Sequence, residues 1–153
     1  MRTIARIGAA LGITAVVATA TAGVASAAPA GYKVDVNHST GGLATSTWGD
    51  LSWSTSLRTV TITGRQVFVK AGECYSLDIA GYQGSTKMTP SFTDSDCADS
   101  GVNETWTYPN PLSLSTTVPG GIDHVIVRLT DTGHKIMHYA NCYQSASVCQ
   151  KNY

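Results

Sequence analysis

Charge is scarce in this chain: Asp, Glu, Lys and Arg make up 13% of its 153 residues, ten acidic and ten basic. The basic residues form no cluster, which argues against nucleic acid as a partner, since such binding draws most of its free energy from neutralised phosphates. It also leaves no polybasic handle for an anionic membrane surface. Cysteine is absent before Cys74, and the four present (Cys74, Cys97, Cys142, Cys149) show no C-x2-C or C-x4-C spacing. That argues against a zinc site and against a dithiol redox role. Serines are plentiful, yet no G-x-S-x-G elbow presents one as a nucleophile. Glu73 and Glu104 are the only glutamates, and nothing pairs them across a cleft as glycosidic hydrolysis requires. Gly81-x-x-Gly84 lacks the Lys-Ser/Thr that completes a phosphate-binding loop. No cofactor and no metal are expected.

One apolar run exists, and it lies at the start. Arg2 and Arg6 precede an alanine-rich stretch from Ile7 to Thr21, and Ala25-Ser26-Ala27 supplies the small-x-small pattern that signal peptidase accepts. The run is too short for a convincing membrane span, which needs about 20 apolar residues. The expected organisation is a secretory signal peptide over 1–27 and one folded domain over 28–153, released to the extracellular side. Two of the ten basic residues leave with the signal, so eight Lys and Arg face ten Asp and Glu, a net charge of −2. An even cysteine count in an exported bacterial chain implies two disulfides. Three pairings are formally possible, and the local closures Cys74–Cys97 and Cys142–Cys149 are favoured. In the loop-entropy picture these stabilise by about 3 and about 2.5 kcal/mol.

After residue 27 the apolar residues recur with period two rather than 3.6. Val60 and Ile62, then Val67 and Val69, alternate with Thr61, Thr63, Phe68 and Lys70. Tyr75, Leu77, Ile79 and Val125, Val127, Leu129 repeat the pattern, which puts one face of each strand in a core. Strands are expected at 32–38, 47–53, 58–63, 66–70, 74–80, 87–93, 104–108, 112–118, 122–130 and 136–143, with 28–31 a flexible lead-in. Turn residues interrupt these runs at short spacings. The fold class is therefore all-β, an antiparallel β-sandwich with two disulfides, a small β-barrel being the second choice.

Chemistry-bearing clusters are few. Asp94, Asp96 and Asp99 crowd the segment to Gly101, but its spacing fails the EF-hand pattern, and a solvated acidic loop is expected. His134 and His138 are four apart, and on a strand that separates them by about 13 Å, too far for one metal ion. His124 on a neighbouring strand could approach one of them. Aromatic residues carry the best functional hint: three Trp and seven Tyr against two Phe. Trp48 and Trp53, five apart, should point to opposite faces of one strand, whereas Trp106 and Tyr108 share a face. Such rings can fill a small core, as buried Trp and Tyr often do. Exposed, they stack on sugars or anchor protein interfaces.

The first expectation is a non-catalytic binding domain for cell-wall or environmental carbohydrate or for a protein partner. It predicts an exposed strip from Trp48 or Trp53 with Trp106 and Tyr108. The alternative is a secreted inhibitor or toxin acting through Tyr108–Gly121, stiffened by Pro109, Pro111 and Pro119. A small hydrolase relying on His124 or His138 ranks last.

Overall fold

The computed structural model describes residues 28–38, 41–131 and 137–152. The expected signal peptide over 1–27 and His134 lie outside the described residues. Described residues form no helix and eleven strands: β1 (Gly31–Asn37), β2 (Leu43–Trp53), β3 (Thr59–Val69), β4 (Cys74–Gln83), β5 (Thr86–Lys87), β6 (Phe92–Cys97), β7 (Glu104–Thr107), β8 (Leu112–Ser115), β9 (His124–Thr130), β10 (Met137–Tyr143) and β11 (Gln150–Asn152). They pair into two antiparallel sheets, so the sandwich expectation holds. The first runs β1-β2-β3-β7, with β8 also on β3; the second runs β11-β10-β9-β4-β5, with β6 also on β4.

Period-two alternation makes the core. From the first sheet, Val34, Val36, Val60, Ile62, Val67 and Val69 turn inward, each at most 2% exposed. Leu77, Ile79, Val125, Val127 and Leu129 meet them from the second sheet, all fully buried. Each such side chain contributes about 1.5–3 kcal/mol on leaving water. The Cys74–Cys97 and Cys142–Cys149 disulfides both form, and both local closures are therefore correct. Cys97 ends β6 directly opposite Cys74, so this bond joins adjacent strands rather than tying back a loop. The Cys142–Cys149 bond folds the following residues back as β11 against β10.

Several strand expectations need correction. The runs 58–63 and 66–70 are one strand, β3, carrying a bulge. Trp48 pairs with Gln66 and Asp50 with Thr63, so Gly64 and Arg65 together oppose Gly49. Gly64 has φ +58°, the left-handed backbone that a bulge of this kind requires and glycine supplies without strain. The extra residue resets the alternation and lets Ile62 and Val67 both face inward. It also turns Arg65 inward, 5% exposed.

The run expected at 87–93 is divided between β5 and β6, with Pro90, which cannot donate a ladder hydrogen bond, in the gap. Asp94 and Asp96 therefore lie on β6 and not in an acidic loop. The opposite sheet breaks in the same way. β7 pairs with Gln66–Val69 and β8 with Thr59–Ile62, and 108–111, with Pro109 and Pro111, crosses the bulge between them. The lead-in at 28–31 is tied down: Pro29 is buried, its carbonyl accepts the Trp53 indole N–H at 3.2 Å, and Leu51 N–H donates to Ala30 O.

Candidate functional site: a hollow over the β3 bulge

The bulge shapes both sides of the first sheet. Outside it lies an open concavity of about 530 Å³, edged by Lys33, Trp48, Asp50 and Gln66. Its floor is short of side chains because Gly31 from β1 and Gly64 from β3 offer none, and only the backbone of Gly49 from β2 lies between them. Gly49 faces the core, where the Tyr32 ring fills the space of the missing side chain. A Cβ at Gly49 would sit 3.0 Å from Tyr32 Cε1. Gly31 and Gly64 flank the Asp50 carboxylate. Its Oδ1 would be 3.7 Å from a Cβ on Gly31, and its Oδ2 3.3 Å from one on Gly64.

Lys33, Trp48 and Gln66 form one cross-strand row, since Lys33 pairs with Trp48 and Trp48 with Gln66. Lys33 stands at the rim, largely exposed, with its Nζ 3.2 Å from Asp35 Oδ1. The Trp48 indole N–H, the Asp50 carboxylate and the Gln66 side-chain amide have no partner among the described residues. A flat ring, an acceptor and an amide thus converge on a clear floor.

Beneath the hollow, the Arg65 guanidinium is held between rings, its carbon 4.4 Å from the Phe92 centroid and 4.7 Å from that of Tyr108. Its Nη2 donates to Asn110 O at 3.2 Å, and Tyr108 N–H donates to Arg65 O at 3.0 Å. Nε and Nη1 are buried without a hydrogen-bond partner among the described residues, so the ring faces supply much of the compensation for this desolvated cation. Burial lowers the Arg65 pKa, opposed by Tyr32, Tyr108 and Asp94.

Asp94 accepts from Tyr75 Oη at 2.6 Å and from Tyr108 Oη. Burial pulls its carboxyl up. The two phenols, the Ser95 amide and the Arg65 charge together hold it below the ordinary value. Burial, then the bond to Asp94, pushes Tyr108 up to about 12 and raises Tyr75 as well. This network fastens β6 to the segment crossing the bulge.

Of the four aromatic candidates, only Trp48 lies on an outer face. Trp53 opposes it in direction, as the spacing predicts, and packs against the core with Trp106 and Tyr108. Trp106 packs at a tilt against Tyr75, ring centroids 5.6 Å apart. Trp106 and Tyr108 do share a face, but it is the inner one, and the four do not assemble into one strip. The segment Tyr108–Gly121 is a loop only in part: Asn110 is held by Arg65, 112–115 is β8, and 117–120 form an exposed turn in which Gly121 N–H donates to Val118 O.

The histidines also part company. His138 is on the inner side of β10, its Nδ1 2.5 Å from Asp35 O, whereas His124 faces outward from β9. Two neighbouring strands carry them on opposite faces, so they form no pair. His124 instead stacks between Tyr82 and Tyr143, at 5.4 and 4.7 Å between centroids, with Nδ1 on Asp123 Oδ1. Beside it Arg128 donates to Asp78 at 2.9 Å and to Tyr82 Oη at 3.1 Å.

A second hollow, about 500 Å³, lies at the Cys74–Cys97 disulfide. Its acids are engaged: Asp96 Oδ1 accepts Cys97 N–H, and Asp131 also has a partner. Among the described residues no three His, Cys, Asp or Glu side chains gather as metal ligands, and no helix is long and apolar enough to cross a membrane. Comparison of the chain with protein-family models, with curated proteins and with solved structures finds no match.

Proposed function

We propose that this chain is an exported bacterial, non-catalytic binding domain whose ligand is a carbohydrate held in the hollow over the β3 bulge. One observation carries the reading: Trp48 stands beside Asp50 and Gln66, whose side chains have no partner among the described residues, over a floor opened by Gly31 and Gly64. A sugar ring offers an apolar C–H face to an aromatic ring and hydroxyls to carboxylate and amide groups. Mixed apolar and polar lining of this kind fixes both affinity and orientation. The hollow is open and shallow, which suits one or two units of a polymer better than an enclosed small molecule. Export is supported by the leader-like pattern over 1–27 and by two disulfides, which persist in oxidising compartments.

The test is depletion of the exported protein from solution by insoluble chitin, cellulose and bacterial cell wall. Wild type should bind at least one of them. Trp48→Ala should bind that polymer at least tenfold more weakly, as expected for an aromatic anchor, with its unfolding midpoint little changed. Failure of the wild type to bind any polymer, or equal binding by Trp48→Ala, would remove the reading.

A further inference from the structure

The charges around the hollow say which sugars it takes. Two carboxylates and one ammonium lie on or beside its rim: Asp35, Asp50 and Lys33. The Lys33 ammonium lies 3.2 Å from Asp35 Oδ1, so among the described residues the two carboxylates outnumber the one cation, with Asp50 the acid that lines the hollow. Arg65, one residue from Gly64 and Gln66, delivers its cation to the inner side, between Phe92 and Tyr108. The bulge therefore sends the positive charge of this stretch inward and leaves a negative group facing solvent.

From this we infer that, within the carbohydrate reading on which it rests, the hollow prefers amino sugars bearing a free, protonated amine. Asp50 would pair with the ammonium, and the electron-rich face of Trp48 attracts the same charge. Anionic units such as uronic acids would meet a rim whose net charge is negative, with Asp50 facing them directly. The position of Asp50 favours this role. Its two oxygens spread over Gly31 and Gly64, where no side chain shields them from a ligand resting on the floor.

Tryptophan fluorescence or calorimetric titration with two soluble tetrasaccharides tests the inference, one of β-linked glucosamine and one of its N-acetylated counterpart. At about pH 6, where amines of this kind are protonated, the glucosamine oligomer should bind about fivefold more tightly, the scale of one exposed cation–π and ion-pair contact. Asp50→Asn should cut that preference to about twofold or less, read as the ratio of the two affinities so that any loss common to both oligomers cancels. Added salt should reduce the preference more in the wild type than in the variant. Equal binding of both oligomers by the wild type, or tighter binding of the N-acetylated one, would overturn the inference and leave the carbohydrate reading standing. Absence of binding to either oligomer by a protein that retains its insoluble polymer would overturn the inference alone; loss of both would overturn both. A tetralysine peptide binding as tightly as the glucosamine oligomer would show that charge alone is recognised, and would overturn the assignment to a sugar.

Discussion

On the outer face of the second sheet, Arg128 donates to Asp78 and Tyr82, and His124 lies between two tyrosine rings with Asp123 on its Nδ1. On the outer face of the first, Trp48, Asp50 and Gln66 have no such partners among the described residues. Both faces carry aromatic, acidic and polar groups. The difference lies in backbone spacing. Across β4, β9 and β10 the ladder is regular, so Tyr82, His124 and Tyr143 fall in one row and satisfy one another. Across β2 and β3 the bulge interrupts the rows, and glycines leave gaps that neighbouring side chains do not close. Residue type therefore says little about which face is available to a ligand. Whether the groups already have partners says more.

The comparison breaks most severely if the inner side of the bulge is removed. Arg65→Ala takes away a cation that is 5% exposed, seated between two rings, and leaves Asp94 without its nearest positive charge. Breaking a buried charge cluster of this kind should cost about 3 kcal/mol. Urea denaturation should show a lower midpoint with an unchanged slope. The outer hollow should lose its ligand too, since the segment that crosses the bulge is anchored by Arg65 through Asn110 and Tyr108. An Arg65→Ala protein of wild-type stability would mean that the bulge is held by its strands alone.

A smaller effect separates the same inner network from the outer hollow by pH. Asp94 has a folded pKa below its unfolded value, so its contribution is full above about pH 4 and is lost as pH falls through the lower folded value. Tyr108 runs the other way. Raised to about 12, it contributes fully below its unfolded value near pH 10, and that contribution is lost as pH rises towards 12. Urea midpoints measured across both ranges should fall at each end. Asp94→Asn should flatten the acid limb, and Tyr108→Phe should shrink the alkaline limb, which Tyr75 shares. An acid limb unaltered in Asp94→Asn would place the responsible carboxylate elsewhere.

The sequence made some of this architecture visible and hid the rest for definable reasons. Alternation gave the two-faced strands directly, and it placed Trp48 and Trp53 on opposite sides. It also showed the break in phase between Ile62 and Val67, with Gly64 between them. A hairpin turn and a bulge both use glycine at positive φ, so the same signal read as two strands instead of one. Counting back in twos from Val67 points Arg65 inward, although charge alone argues the reverse. The partners that seat it there, Phe92 and Asp94 on β6 and Tyr108 on the segment crossing the bulge, are distant in sequence. The hollow itself was not legible. It is made of missing side chains at Gly31 and Gly64, which come to flank Asp50 only once β1, β2 and β3 are in register. Trp106 and Tyr108 show the opposite limit: their shared face was readable, but not whether it turned to the core.

The finest test exchanges one charged group on each outer face. Arg128→Met removes two hydrogen bonds, to Asp78 and to Tyr82, from a side chain about one-third exposed. Solvent screening reduces what such a pair contributes, so a loss of about 1 kcal/mol is expected. Binding in the hollow, on the other sheet, should not change. Asp50→Asn removes a carboxylate with no partner to lose, so its stability should stay within about 0.5 kcal/mol of wild type. Its effect should fall on ligand choice instead. Thermal or urea unfolding of the two variants side by side, each with a binding titration, gives the contrast directly. If Asp50→Asn destabilises as much as Arg128→Met, the carboxylate is a structural group, and the distinction between an engaged face and an available one fails at the residue on which it depends most.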